Sequence, residues 1–222
     1  MLDSKTVCLD GVRINSSQEW VPKFVQNLLF KGTYEFAERK MLKSILRPGH
    51  RVLEIGCGIG VVGTLAAKIA GAKNVLSYEA NPEQSAVIRA NYKLNNLSPE
   101  LRMKAITKDG KQVAFFKNDN VISSSVFERD GTALKLIVES DRFDTVVAEF
   151  QPDVIVMDVE GAEIDLLSNT ILDSVEFILV ELHRKIVGDT KIDLLLENLK
   201  QANFNQIRYY NKNALFERIK EA

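Results

Sequence analysis

What this 222-residue chain has little of narrows its class first. Its two cysteines, Cys8 and Cys57, are too few for a disulfide framework, and no CxxC spacing suggests zinc. It carries no excess charge. Twenty-nine basic residues against 30 acidic ones leave a net of −1, which removes the electrostatic footprint expected of a nucleic-acid or anionic-membrane binder. One tryptophan, Trp20, in the N-terminal segment provides no aromatic platform for bases. No apolar run approaches the ~20 residues of a membrane span, and the start MLDSKTVCLDG lacks the apolar core of a signal peptide. The five prolines are scattered, and no repeat or low-complexity tract is visible. These absences leave a cytoplasmic, soluble chain with no nucleic-acid or membrane partner. Its 45% hydrophobic and 27% charged residues are ordinary globular values.

From about residue 50 the pattern alternates strand and helix. RVLEI (51–55) is a short apolar strand, and CGIGVVG leads into the small-residue helix TLAAKIA, which ends at Gly71. NVLSYE (74–79) is the next strand, and Asn81-Pro82 caps and opens the following helix. LRMKAI (101–106) reads as a third strand. DVIVMDV (153–159) and EFILVEL (176–182) are nearly continuous apolar runs, as parallel strands buried on both faces should be. GAEIDLLSNTI between them reads as a helix. Ile192, Leu195, Leu196 and Leu199 form the stripe of an amphipathic helix opened by Asp189 or Thr190. NQIRYY and ALFERI close the chain as a hairpin around Asn211-Lys212-Asn213. The predicted class is α/β, a doubly wound, mostly parallel sheet with helices on both faces and a terminal antiparallel hairpin. Residues 1–49 are predicted to form a hairpin around Asp10-Gly11 and a helical extension acting as a lid. Residues 50–222 form the main domain, with a small β insertion at about 107–143. That insertion, with its Ser123-Ser124-Ser125 run, is expected to shape a substrate pocket or a homodimer interface.

VLEIGCGIGVVG (52–63) puts a glycine loop and a helix N-terminus at the carboxyl end of the first strand, where doubly wound sheets bind ligands. Gly58, Gly60 and Gly63 fit GxGxxG, with Glu79 placed as a ribose-binding acid, so a dinucleotide site is one reading. The other frame sets Glu54 before Gly56, Gly58 and Gly60. A fixed carboxylate opposes a pyrophosphate but suits S-adenosylmethionine, whose sulfonium and α-ammonium are positive. Further along, Asp158, Glu160 and Glu163 lie at and after the end of the DVIVMDV strand, and Glu181 and His183 end the next. Both clusters should meet the glycine loop in one crevice.

At these residues the chain resembles the FkbM-type family of S-adenosylmethionine-dependent methyltransferases, which are class I and Rossmann-like. The matching pieces are GTYE (32–35), VLEIGCGIG, YEANP (78–82), MDVEGAE (157–163) and VELH (180–183), in the family's order over about residues 30–210. Two positions depart. Val156 stands where the family usually has a lysine, and Gly56-Cys57 stands where it often has alanine-asparagine. The resemblance implies methyl transfer, commonly to a hydroxyl of a sugar or small natural product. It implies that Glu54, Gly56 and Gly58 hold the cofactor's methionine end, that Glu79 and Asn81 hold the ribose, and that Ala105-Ile106 flank the adenine. Asp158 and Glu160 would then sit near the transferred methyl. Glu35, beside Tyr34, is placed to receive the α-ammonium. His183 has an ordinary pKa near ~6.5 that suits a general base, oriented by Glu181 or Glu160, and a metal-free mechanism is expected. The alternative is a divalent metal shared by Asp158, Glu160 and His183. Against this O-methyltransferase stand a nicotinamide-dependent oxidoreductase and a non-catalytic S-adenosylmethionine-binding protein.

Overall fold

The computed structural model describes residues 5–117, 134–168 and 171–219. Ser123-Ser124-Ser125 lie outside them. The chain opens with a hairpin of β1 (Thr6–Leu9) and β2 (Val12–Asn15) turning at Asp10-Gly11. Two helices follow, α1 (Lys23–Lys31), ended by Gly32 in the left-handed region, and α2 (Phe36–Ile45). The sheet then begins with β3 (Val52–Ile55), α3 (Val61–Ala70), β4 (Val75–Tyr78), α4 (Ser85–Leu94) and β5 (Glu100–Arg102). Next come β6 (Ala105–Thr107), β7 (Val113–Lys117), β8 (Leu134–Val138), β9 (Ser140–Arg142) and α5 (Phe143–Phe150). The chain re-enters the sheet at β10 (Val154–Met157) and continues through α6 (Glu163–Leu167), β11 (Phe177–Glu181), α7 (Arg184–Val187) and α8 (Asp189–Gln201). It ends with β12 (Phe204–Tyr210) and β13 (Asn213–Arg218).

Seven strands form the main sheet in the order β12-β13-β11-β10-β3-β4-β5. From β5 to β11 neighbours run parallel, and β13 is inserted antiparallel between β11 and β12. After β5 the chain crosses back to the other side of β3, so the order reverses between β3 and β10. Their carboxyl ends are where a crevice opens in such sheets. β3, β4, β10 and β11 are buried throughout, because helices cover both faces. Leu53, Ile55, Ile155 and Ile178 pack against α5, α6 and α8 through Phe143, Leu166 and Leu195. Val52, Val154 and Leu179 pack against α2 and α3 through Leu42, Ile45 and Ala66. The N-terminal hairpin and α1 form a third core with Ile59, Val61, Leu65 and Val87.

Four details differ from the sequence reading. LRMKAI is two strands, since the chain bends at Met103-Lys104 and β6 leaves β4 to pair with β9. Lys104 binds Asp141, and Ala105 N–H donates to the Glu139 carbonyl, which draws the segment away from the sheet. The expected β insertion is present, with β7 and β8 as an antiparallel pair of their own. The helix predicted over GAEIDLLSNTI spans only Glu163–Leu167, and a further short helix, α7, precedes α8. α8 does start at Asp189, but Gly188 precedes it and no side chain caps it.

Candidate active site

A cleft of about 570 Å³ lies over the carboxyl ends of β3, β4, β10 and β11. Its floor is the glycine loop. Gly56 has φ 87°, and a Cβ there would stand 1.9 Å from the Asp158 carbonyl oxygen, so only glycine lets the ends of β3 and β10 approach this closely. The Glu79 carboxylate, at the end of β4, fixes the loop. Its Oε2 accepts from Cys57 N–H and Gly58 N–H, both at 3.0 Å, and its Oε1 from Asn81 N–H at 2.8 Å. Asn81 Oδ1 in turn accepts from Glu83 N–H, capping the turn before α4 as expected. Tyr34 and Glu35 overhang the loop, for a Cβ on Gly58 would meet the Tyr34 hydroxyl at 3.0 Å and Glu35 Oε1 at 3.3 Å.

Glu35 has φ 47°, unusual for a glutamate, and its buried Oε2 has no hydrogen-bond partner. Burial first, then the Glu38, Glu54 and Asp158 charges, raise its carboxyl well above the usual range. Together these suit Glu35 to a positive ligand group.

At the other end of the cleft four carboxylates surround His183, which is 6% exposed. Glu163, fully buried, accepts from Gly161 N–H at 2.7 Å and His183 N–H at 2.9 Å, and its Oε1 lies 3.3 Å from Nδ1. Nε2 points the other way. It lies 3.0 Å from Glu181 Oε1, 3.4 Å from Asp158 Oδ1 and 3.4 Å from Glu160 Oε2, yet makes no hydrogen bond. Glu181 is paired with Lys212 from the terminal hairpin. Burial alone would lower the His183 pKa, but the Glu163 and Glu181 carboxylates and the charge of Asp158 push it up to about 10. The carboxylates around it thus favour a positive charge at the ring, whereas the general-base expectation for His183 assumed an ordinary pKa.

Of the site residues expected from sequence, Glu35, Gly56, Gly58, Glu79, Asn81, Ile106, Asp158 and Glu160 all line the cleft. His183 lies just behind Asp158 and Glu160. Glu54 does not reach the cleft. It alternates with Leu53 and Ile55 along β3, so its side chain passes to the α3 face, where Oε2 accepts from the Ser77 hydroxyl at 2.6 Å. A Cβ on Gly63 would stand 2.3 Å from that oxygen. The third glycine of the apparent GxGxxG thus clears room for a buried carboxyl. The argument against a pyrophosphate passes from Glu54 to Glu35 and Asp158, which do face the cleft. Sequence reasoning missed Lys212, Tyr210 and Asn213, which also line it. The signal was available: a strand antiparallel to its neighbours begins at their carboxyl edge, so the β12–β13 turn had to end beside the site.

The doubly wound sheet, its glycine loop and the acid closing β4 define a Rossmann-like methyltransferase fold. Solved structures share it: a ribosomal protein L11 methylase from Lactobacillus delbrueckii (TM-score 0.50, 15% identity, covering 84% of this chain and 79% of that one) and an rRNA methylase from Streptococcus thermophilus (TM-score 0.50, 11% identity, 83% and 96%). At such identities the likeness is one of fold. Residues 54–214 match the family model described as the methyltransferase FkbM domain, and the chain belongs to that family. A curated relative, a ribosomal protein L11 methyltransferase from Thermosipho africanus, is 34% identical over 110 residues, which is 49% of this chain and 40% of that protein. The domain is an S-adenosylmethionine-dependent methyltransferase domain. The residues present suit that cofactor. Glu35 offers an orphaned carboxylate oxygen to an ammonium, bare glycine backbone lies beside it, and Ile106 and Ala105 supply an apolar wall beyond Glu79. No helix among the described residues is long and apolar enough to cross a membrane.

Proposed function

We propose that this protein methylates a hydroxyl of a small, uncharged molecule or sugar. The observation that carries the reading is the charge of the cleft. Glu35, Glu38, Glu79, Asp158, Glu160 and Glu181 line it against one lysine, Lys212, already paired with Glu181. Phosphates would be repelled from such a lining, whereas polyol hydroxyls find acceptors in it. S-adenosylmethionine supplies an electrophilic methyl group on a positively charged sulfur, so the acceptor oxygen displaces a neutral thioether.

The chain's own residues then have three tasks. Glu35 pairs with the ammonium, the Gly56–Gly58 backbone receives the methionine end, and Glu79 with Asn81 takes the ribose hydroxyls, leaving Ala105 and Ile106 beside the adenine. Asp158 and Glu160 face the acceptor hydroxyl, which donates to one of them and loses its proton to this carboxylate cluster. The Asp158 side chain opens to the cleft, which places its carboxylate to take that proton. His183 is a positioning residue that holds these carboxylates together. Residues 1–49 serve as the lid that carries Tyr34 and Glu35.

A second reading is favoured by the same charge: an acidic cleft also draws an amine, and the Thermosipho africanus relative is named for a ribosomal protein. One experiment separates the two. The protein is incubated with methyl-labelled S-adenosylmethionine and, in separate reactions, a metabolite extract, ribosomal protein and RNA. Label in a small-molecule methyl ether is expected, and label in protein or RNA instead would defeat the proposal.

A further inference from the structure

Asp158, Glu160 and His183 each offer one ligand atom, and these three atoms lie within 4.8 Å of one another. Two features separate this group from an ordinary acidic patch. His183 Nε2 is buried without an aligned hydrogen bond and faces Asp158 and Glu160 at 3.4 Å, with Glu181 Oε1, which also pairs with Lys212, at 3.0 Å. Its ring orientation is set from behind, because the Glu163 carboxylate bridges Nδ1, His183 N–H and Gly161 N–H. A buried carboxylate on the far nitrogen is how proteins fix a metal-binding histidine with its lone pair facing forward.

The spacing is close to what a cation needs. Adjacent ligands of an octahedral cation with ~2.1 Å bonds stand apart by √2 times the bond length, about 3.0 Å. Nε2 is 3.4 Å from Asp158 Oδ1 and 3.4 Å from Glu160 Oε2, so the side chains would close by a few tenths of an ångström around the ion. Glu160 sits at φ 52°, a backbone conformation that glutamate rarely adopts.

We infer that Asp158, Glu160 and His183 form a binding site for a divalent cation of the Mg²⁺/Mn²⁺ type, with Glu163 as the residue that positions the histidine. Two carboxylates and one imidazole are a hard donor set suited to these ions. The Asp158 side chain is 44% exposed to the cleft, so a cation there keeps open positions toward the acceptor, and two neighbouring oxygens of a diol would fill them. That use in catalysis rests on the proposed function. The binding does not.

The test is titration of the protein, free of cofactor and acceptor, with Mn²⁺, followed by electron paramagnetic resonance and calorimetry. One site is expected, saturating below about 1 mM. Asp158→Asn and Glu160→Gln should each weaken it at least ~10-fold, and Glu163→Gln about 10–100-fold, with circular dichroism showing each variant folded. Absence of bound Mn²⁺ in the wild type, or affinity unchanged in both carboxylate variants, would overturn the inference. Methyl label found in RNA or protein would defeat the proposed acceptor and leave this titration standing.

Discussion

Replacing Glu54 by Gln should flatten a pH dependence built into the sheet. Glu54 is 1% exposed in a central strand, beneath the first turn of α3. Oε2 has the Ser77 hydroxyl, which also accepts from Tyr92, while Oε1 is buried without a partner. Burial raises its pKa to about 7 from the ordinary 4.5, despite the hydrogen bonds that favour the anion. The folded protein therefore holds a proton that the unfolded chain releases above pH 4.5. This contribution is complete below pH 4.5, shrinks as pH rises, and is gone above about 7. At ~1.4 kcal/mol per unit, the full span is about 3 kcal/mol. Glutamine imitates the protonated carboxyl and does not titrate. Urea unfolding of both proteins from pH 4 to 8 should show near-equal stability at pH 4 and a growing advantage for Glu54→Gln, approaching ~3 kcal/mol at pH 8. Subtracting the curves cancels the other titrating groups. A stability difference independent of pH would refute the assignment.

Glu35→Gln should weaken S-adenosylhomocysteine binding by about 1–3 kcal/mol and leave 5′-methylthioadenosine, which has no ammonium, unaffected in calorimetry. Equal losses for both ligands would remove Glu35 from the methionine end. Glu79→Ala should lose a similar amount, about 1–3 kcal/mol, and also destabilise the glycine loop by stranding three backbone N–H groups. Unchanged affinity would exclude Glu79 from the site. Gly56→Ala brings a methyl to within 1.9 Å of the Asp158 carbonyl at a positive φ. It should lower stability by about 2–4 kcal/mol, and a smaller change in melts would mean that β3 and β10 can separate freely.

The order of elements was written into the sequence by itself, because it rests on local physics. Continuous apolar runs give strands buried on both faces, Gly71 stops α3, Asn81 and Pro82 open the next turn, and the stripe at 192, 195 and 199 marks the buried side of α8. The strand–glycine–helix unit likewise located the cleft. Three matters were decided only by tertiary structure. In a strand covered on both faces, alternation carries no inside or outside, so only the packed sheet shows that Glu54 turns toward α3 and Ser77. LRMKAI breaks in two because β6 finds its partner in β9, more than thirty residues later. The state of His183 is set by Glu163, Glu160 and Asp158, which arrive from the preceding crossover, and by Lys212, which draws Glu181 from the hairpin. A side chain's pKa and orientation belong to the neighbours that the fold assembles around it. Residue type and spacing along the chain do not contain them.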